Sequence, residues 1–273
     1  MSLRLISSLV LVGAGKMGGA LLQGWLKGGL PGSAITLIDP QPSDEMAALA
    51  KSEGLALNPE LGTITAPQLV VIAIKPQMMA AVLPSFAGIA AQGATFLSVA
   101  AGQTIADMER CLGGPAKIVR VMPNTPAAVG AGISVLVAND ATPDDMRGHA
   151  ETLMSAVGMV RWIEDEALMD AVTAVSGSGP AYVFHLVEAM AAAGVAAGIA
   201  PDLSMDLARQ TVIGGGALMA ASPLPAANLR ENVTSPAGTT AAALDVLMAD
   251  DGLPPLMVRA VAAAKKRGQE LGG

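Results

Sequence analysis

The chain has 273 residues, enough for one large domain or two modest ones. Its 16 Lys+Arg against 23 Asp+Glu give a formal charge of −7, so no basic surplus exists to neutralise phosphates, and nucleic acid is not an expected partner. A single cysteine, Cys111, excludes an internal disulfide and a thiolate metal cluster, and the two histidines, His149 and His185, stand in no ligand spacing. No metal is expected.

Apolar residues make up 52% of the chain but aromatics only 2%, with 31 glycines, and the mean hydropathy is +0.52. The longest uncharged stretch, 76–106, is interrupted by Pro84, Gly88, Gln92, Gly93 and Gln103. It therefore falls short of the roughly 20 consecutive apolar residues a spanning helix needs, and no membrane is expected. The apolarity reads instead as buried parallel strands under Ala-rich helices. Arg4 and the apolar run after it resemble the start of a secretory signal. The run ends in Gly13-Ala14-Gly15 with no cleavage pattern before it, which favours a first β-strand and a cytoplasmic location.

In chain order, strands are expected over 9–12, 35–38, 69–74, 95–99, 118–122 and 133–137. Helices are expected over 16–27, 43–53, 77–89 and 105–112, and 143–157 reads as one more helix closing the unit. Strands spaced by helices argue βαβ units and a parallel sheet. Beyond about residue 164 the strand signal disappears, and 166–175, 180–199, 203–220, 240–248 and 254–271 read as helices. The expected organisation is thus α/β, with a dinucleotide-binding domain over 1–164 and an all-helical domain over 165–273. The helices of that second half carry small faces that fill little core volume. Two such halves packed together would bury more, so a homodimer through this half is expected.

Gly13-Ala14-Gly15-Lys16-Met17-Gly18 is a Gly-x-Gly-x-x-Gly turn at the first strand–helix junction. Gly13 allows the tight turn, Gly15 lets the backbone approach a pyrophosphate, and Gly18 lets the helix pack on the strand. The next strand ends in Asp39, whose carboxylate suits the adenosine ribose hydroxyls and would repel a 2′-phosphate; no Arg or Lys lies between residues 40 and 50. On these residues alone NAD(H) is favoured over NADP(H), although Asp39 also reads as a turn former before Pro40. Two further strand ends matter, Ala73-Ile74-Lys75-Pro76 and Val99-Ala100-Ala101-Gly102. Small side chains there leave room for a ribose or nicotinamide ring, or reflect composition only. Lys75 reads equally as a cofactor contact or a solvated lysine.

In the helical half, Asn232-Val233-Thr234-Ser235-Pro236-Ala237-Gly238-Thr239-Thr240 precedes a helix that Thr239 or Thr240 can cap. Free amides at Gly238, Thr239 and Thr240 make a carboxylate site, or simply a well-capped helix. Ser176-Gly177-Ser178-Gly179-Pro180 lacks the Gly-x-Ser-x-Gly spacing of a hydrolase elbow and reads as a hinge. His185, inside an apolar helix, reads as a packed core residue.

No lysine lies between Lys117 and Lys265, so a carbonyl reductase would lack an obvious acid/base. A cyclic imine can arrive already protonated, and hydride transfer to it needs position, an anion clamp and a dry pocket. That requirement disfavours a hydroxyacid dehydrogenase. A non-catalytic dinucleotide-binding module and a reductase of the six-membered imine remain as rivals.

The glycine turn, Ala73-Ile74-Lys75-Pro76-Gln77, Val119-Arg120-Val121-Met122-Pro123-Asn124-Thr125-Pro126, the Ser176–Tyr182 loop and the Asn232–Thr240 loop together resemble pyrroline-5-carboxylate reductase, nearly end to end. The resemblance implies a Rossmann-like parallel-sheet domain and a helical domain interleaved in a homodimer, sometimes built into a decamer. It implies reduction of 1-pyrroline-5-carboxylate to L-proline by NADPH or NADH, the last step of proline biosynthesis. It further implies that Gly13 to Gly18, Ala73 to Pro76 and Val99 to Ala101 line the dinucleotide, with Asn232 near the nicotinamide. Gly238, Thr239 and Thr240 would hold the substrate carboxylate, with the Thr240 hydroxyl near the ring nitrogen as the catalytic group. Asp39 departs from the Ser, or Asn followed by Arg, of many relatives. The Pro-rich 222–225 segment lacks an acidic residue that some relatives carry.

Overall fold

A computed structural model of the chain describes residues 2–272. The strands are β1 Leu9–Val12, β2 Ile35–Ile38, β3 Ala56–Leu57, β4 Leu69–Ile72, β5 Thr95–Ser98, β6 Lys117–Met122, β7 Gly132–Ala138 and β8 Gly158–Trp162. The helices are α1 Lys16–Lys27, α2 Asp44–Glu53, α3 Met79–Val82, α4 Ala87–Ala91, α5 Ile105–Leu112, α6 Asp144–Ser155, α7 Met169–Val172, α8 Gly179–Ala196, α9 Pro201–Ala221, α10 Ala226–Asn232, α11 Thr239–Leu247 and α12 Leu253–Gly272.

The eight strands form one sheet in the order β3-β2-β1-β4-β5-β6-β7-β8. Alternate residues of each strand point to opposite faces. Leu9 and Leu11 join Leu37, Val71, Leu97 and Val119 under α1, α2 and α6, where Trp25 is fully buried and donates its indole N–H to the Leu153 carbonyl at 2.9 Å. Val10 and Val12 join Val70, Ile72, Phe96 and Ile118 on the other face, covered by Met79, Leu83, Phe86, Met108 and Leu112. Both faces of the central strands are therefore dry, which explains their unbroken apolar runs.

The sheet is not wholly parallel. β7 runs antiparallel to β6, with Val119 opposite Ala138, and β8 then runs parallel to β7. The link between β6 and β7 holds only the short 3-10 turn Thr125–Val129, too little chain for a crossover, so the strand must turn back. β8 and the two-residue β3 were not among the expected strands; they lie at the two sheet edges. The helix expected over 77–89 is broken into α3 and α4 by a 3-10 turn, Leu83–Phe86, that contains Pro84. The segment expected as one helix over 166–175 is a 3-10 turn, α7, and a π-turn over Thr173–Gly177. α10 was also not expected.

The chain divides into two compact units between Gly177 and Ser178, with the residues from Lys265 on belonging to the first. In the second unit α8 and α9 form a close hairpin. A Cβ on Gly194 would overlap the Ser204 hydroxyl, which donates to the Ala191 carbonyl at 2.6 Å. The buried residues of this unit are Ala191, Ser204 and Ala208, while Phe184 (64% exposed), Val246 (71%) and Val258 (70%) face outward. No single helix among the described residues is long and apolar enough to cross a membrane.

Candidate functional site

The glycine turn separates what the protein requires from what it leaves open. Gly13 has φ +92°, and its N–H donates to the Ile38 carbonyl at 2.8 Å. A Cβ there would stand 2.9 Å from the Ala73 carbonyl oxygen. A Cβ on Gly18 would overlap the Gly13 carbonyl oxygen and lie 3.1 Å from the Ala73 Cβ, so α1 sits hard against the turn. Gly15 differs. It is the N-cap of α1 with φ −67° and ψ −163°, and a Cβ on it would meet no atom within 4 Å. Two glycines are thus demanded by the protein's own packing, and the third leaves space for something outside the chain. The amides of Gly15, Lys16 and Met17 have no acceptor among the described hydrogen bonds. Gly15 and Lys16 border a hollow of about 380 Å3 with Ser43 and Glu45 on its wall. Unpaired amides at a helix start, with clear space beside them, fit a pyrophosphate.

Asp39 closes β2. Its Oδ2 accepts the Ala14 N–H at 2.8 Å and its Oδ1 accepts the Gln41 N–H at 3.0 Å. Its main chain is gripped by Asn58, whose Oδ1 accepts the Asp39 N–H at 2.8 Å and whose Nδ2 donates to the Asp39 carbonyl at 2.7 Å. The turn-forming role of Asp39 is therefore real. A carboxylate has about four lone-pair sites, so two remain for a ligand hydroxyl.

β1, β4 and β5 pair in parallel with Val12, Ile72 and Ser98 in register, so Gly13, Ala73 and Val99 share the carboxyl edge. The Ala73 N–H donates to Val12 at 2.8 Å and the Val99 N–H to Ile72 at 3.0 Å. Ile74 packs toward Gly13, Lys75 is exposed at the start of the 3-10 turn Pro76–Met78, Ala100 is buried and Ala101 exposed. Gly13 to Gly18, Asp39, Ala73 to Pro76 and Val99 to Ala101 are thereby brought to one edge of one sheet. This edge includes the point between β1 and β4 where strand order reverses, the usual ligand crevice of an open α/β sheet.

Three supporting residues were not assigned roles from sequence. Arg120, 6% exposed on β6, donates to Glu166 at 2.9 Å, and the same carboxylate oxygen accepts the Ile105 N–H at 2.9 Å. Asn124 accepts the Ile133 N–H at 2.9 Å and donates to the Ser176 carbonyl at 3.2 Å, tying the end of β6 to β7 and to the π-turn. Asn58 is the third. Its signal in sequence is slight: an Asn, tolerant of the left-handed region it occupies at φ +49°, in the loop after a strand.

In the second unit, Asn232 ends α10 and is exposed. Ser235 to Gly238 form a turn closed by the Gly238 N–H on the Ser235 carbonyl at 3.1 Å, with Ala237 at φ +55°. Gly238 is the N-cap of α11 and no side chain caps it. Capping by Thr239 or Thr240 is therefore corrected: both already lie inside the first helical turn, past the position from which a hydroxyl reaches those amides. Among the described hydrogen bonds neither hydroxyl has a partner, and Thr240 is half-buried. His185 is corrected too. Its side chain is 82% exposed and its Nδ1 pairs with Glu188 at 2.9 Å.

A family model described as pyrroline-5-carboxylate reductase dimerisation matches residues 166–271, and one described as NADP oxidoreductase, coenzyme F420-dependent, matches residues 8–102. The pyrroline-5-carboxylate reductase of Pseudomonas aeruginosa is 38% identical over 96% of each chain, and that of Synechocystis 42% over 75% of each. Among solved structures, a pyrroline-5-carboxylate reductase from Coxiella burnetii superposes with a TM-score of 0.91 at 31% identity, covering 98% of this chain and 99% of that one. The Plasmodium falciparum pyrroline carboxylate reductase with NADP bound gives a TM-score of 0.81 at 28% identity, covering 97% and 98%.

Proposed function

Because the chain belongs to the pyrroline-5-carboxylate reductase family, and so reduces 1-pyrroline-5-carboxylate to L-proline with a pyridine nucleotide, we propose how its residues divide that work. Residues 1–164 form the dinucleotide-binding domain, and 165–273 the substrate-binding and dimerisation domain. Gly13 to Gly18, Asp39, Ala73 to Pro76, Val99 to Ala101 and Asn232 bind NADPH or NADH. Gly238, Thr239 and Thr240 bind the substrate carboxylate through the uncapped amides at the start of α11.

When bound, the nicotinamide supplies the hydride that reduces the imine carbon. The protein's part is to hold and orient. Among the described residues the Thr240 hydroxyl has no partner of its own, which leaves it to orient the imine nitrogen and, at most, relay a proton. No further acid/base is required, because the imine arrives protonated. The observation that carries this reading is the contrast at the glycine turn, where Gly15 alone faces open space beside unpaired amides.

The outward apolar side chains of the helical unit support a homodimer built through it. A decamer built from such dimers and a cytoplasmic location complete the proposal. Sedimentation should give a dimer or larger at micromolar concentration; a stable monomer would remove this part. The reaction is tested by following nucleotide oxidation with pyrroline-5-carboxylate, its six-membered analogue and 2-keto acids. Turnover of the five-membered imine is expected, and turnover of keto acids instead would overturn this division of roles.

A further inference from the structure

We propose that Asn58 is a positioning residue for cofactor choice: it locks Asp39 against the place of a 2′-phosphate, and the enzyme therefore selects NADH over NADPH. The inference rests on the nucleotide lying along the glycine-turn edge, the reading proposed for that edge. The family by itself leaves the choice open, since a relative at 28% identity holds NADP.

A carboxylate at the end of β2 excludes a 2′-phosphate only while it stays there. An aspartate free to rotate can turn away and let the phosphate in. Asp39 has no such freedom. Asn58 takes its N–H at 2.8 Å and donates to its carbonyl at 2.7 Å, which fixes the main chain on both sides. The Ala14 and Gln41 amides hold the two carboxylate oxygens at 2.8 and 3.0 Å. Asn58 adopts φ +49° to reach this position, a conformation Asn and Gly tolerate better than most residues.

The surroundings point the same way. The segment from Asp39 to Glu45 carries three carboxylates, Asp39, Asp44 and Glu45, and no cation. The N-terminus of α2, which otherwise attracts an anion, is capped by Ser43 on the Met46 N–H at 3.2 Å and has Asp44 and Glu45 in its first turn. Lys16 borders the same hollow, but so does Glu45. A phosphate on the adenosine ribose would meet a fixed negative edge, whereas an unmodified ribose would find two carboxylate lone-pair sites still open.

The test uses the full-length protein and four ligands: NADH, NADPH, ADP-ribose and 2′-phospho-ADP-ribose. Calorimetric titration reads binding, and steady-state assays with pyrroline-5-carboxylate read kcat and KM. The wild type should favour each unphosphorylated ligand by roughly 10- to 100-fold, the scale of like-charge repulsion at partly screened distance. Asn58→Gly keeps the backbone conformation and removes only the amide. It should shrink that ratio by roughly fivefold, the worth of one or two neutral hydrogen bonds, with the change falling on Kd and KM as tighter binding of NADPH and 2′-phospho-ADP-ribose and kcat little altered. Asp39→Ser should remove most of the preference.

Equal or tighter binding of the phosphorylated ligands by the wild type would overturn the proposal. So would an Asn58→Gly protein that keeps the full ratio. Selective binding of ADP-ribose without imine reduction would support it while overturning the assignment of the reaction. Imine reduction driven best by NADPH would do the reverse.

Discussion

Replacing Gly15 and Gly18 by alanine, one at a time, separates nucleotide binding from packing within a single six-residue turn. At Gly18 the new methyl would overlap the Gly13 carbonyl and crowd the Ala73 Cβ at 3.1 Å. Overpacking of this kind costs about 1–3 kcal/mol, which for a chain of this size lowers Tm by roughly 3–10 °C. At Gly15 the methyl meets no atom within 4 Å, and φ −67° is open to alanine. Reduced freedom of the unfolded chain stabilises by about 0.4–1 kcal/mol, and the poorer N-cap offsets a similar amount, so Tm without nucleotide should move by no more than about 3 °C. The same methyl occupies the approach of the pyrophosphate, and NADH affinity should fall by roughly 10- to 100-fold. Thermal unfolding without ligand and calorimetric titration with NADH read the two effects independently. A Gly15→Ala protein that binds NADH normally, or that melts as early as Gly18→Ala, would refute the idea that the open flank of Gly15 is where the cofactor lies.

Thr240→Ala should lower kcat/KM by roughly 10- to 1000-fold through loss of one positioned donor, and near wild-type activity would remove Thr240 from the mechanism. Ala237→Gly should leave stability unchanged or raise it by up to about 1 kcal/mol, because the left-handed penalty of about 1–2 kcal/mol is relieved and unfolded-state entropy takes part of it back. Ala237→Val should destabilise, and urea unfolding of the two variants checks both signs. Asp107 sits in a capping box with Thr104 at the start of α5. Burial pushes its carboxyl up, but the Thr104 hydroxyl and amide and the Arg110 guanidinium outweigh burial and leave it below the ordinary value. A lowered folded value means this contribution is present at neutral pH and fades as pH falls below about 4, through the unfolded and then the folded value. Asp107→Asn should therefore lose roughly 0.5–1 kcal/mol at pH 7 and converge with the wild type in acid, as denaturation at both pH values would show.

The elements around the glycine turn are legible in sequence because their signals are local. β1 and β2 are short apolar runs, and α1 is bounded by Gly15 and Gly28. β8 is not legible for the same reason. Met159-Val160-Arg161-Trp162 alternates exposed and half-buried residues on an edge strand, and Arg161 breaks what would be a short apolar run. Pro84 gave warning of the break between α3 and α4, but the alanines around it carry the helical pattern across. The reversal of β7 follows from the length of one link, which an alternation of strands and helices does not reveal. The glycines of the site announce themselves by spacing. The grip of Asn58 on Asp39 spans 19 residues and depends on β3 lying beside β2, a pairing of two residues that sequence periodicity cannot register. The exposure of His185 escaped because its apolar neighbours Val183, Phe184 and Leu186 are themselves outward-facing in the isolated chain.

The second compact unit, Ser178–Ala264, hides only two alanines and a serine from water by its own effort. In the proposed homodimer its persistence becomes a matter of mass action, because each copy is completed by encounter with another, so midpoint temperature should climb as the sample is concentrated and sink on dilution. Catalysis would then inherit that dependence, and specific activity would drop in very dilute assays even though every atom of the nucleotide edge remained in its place.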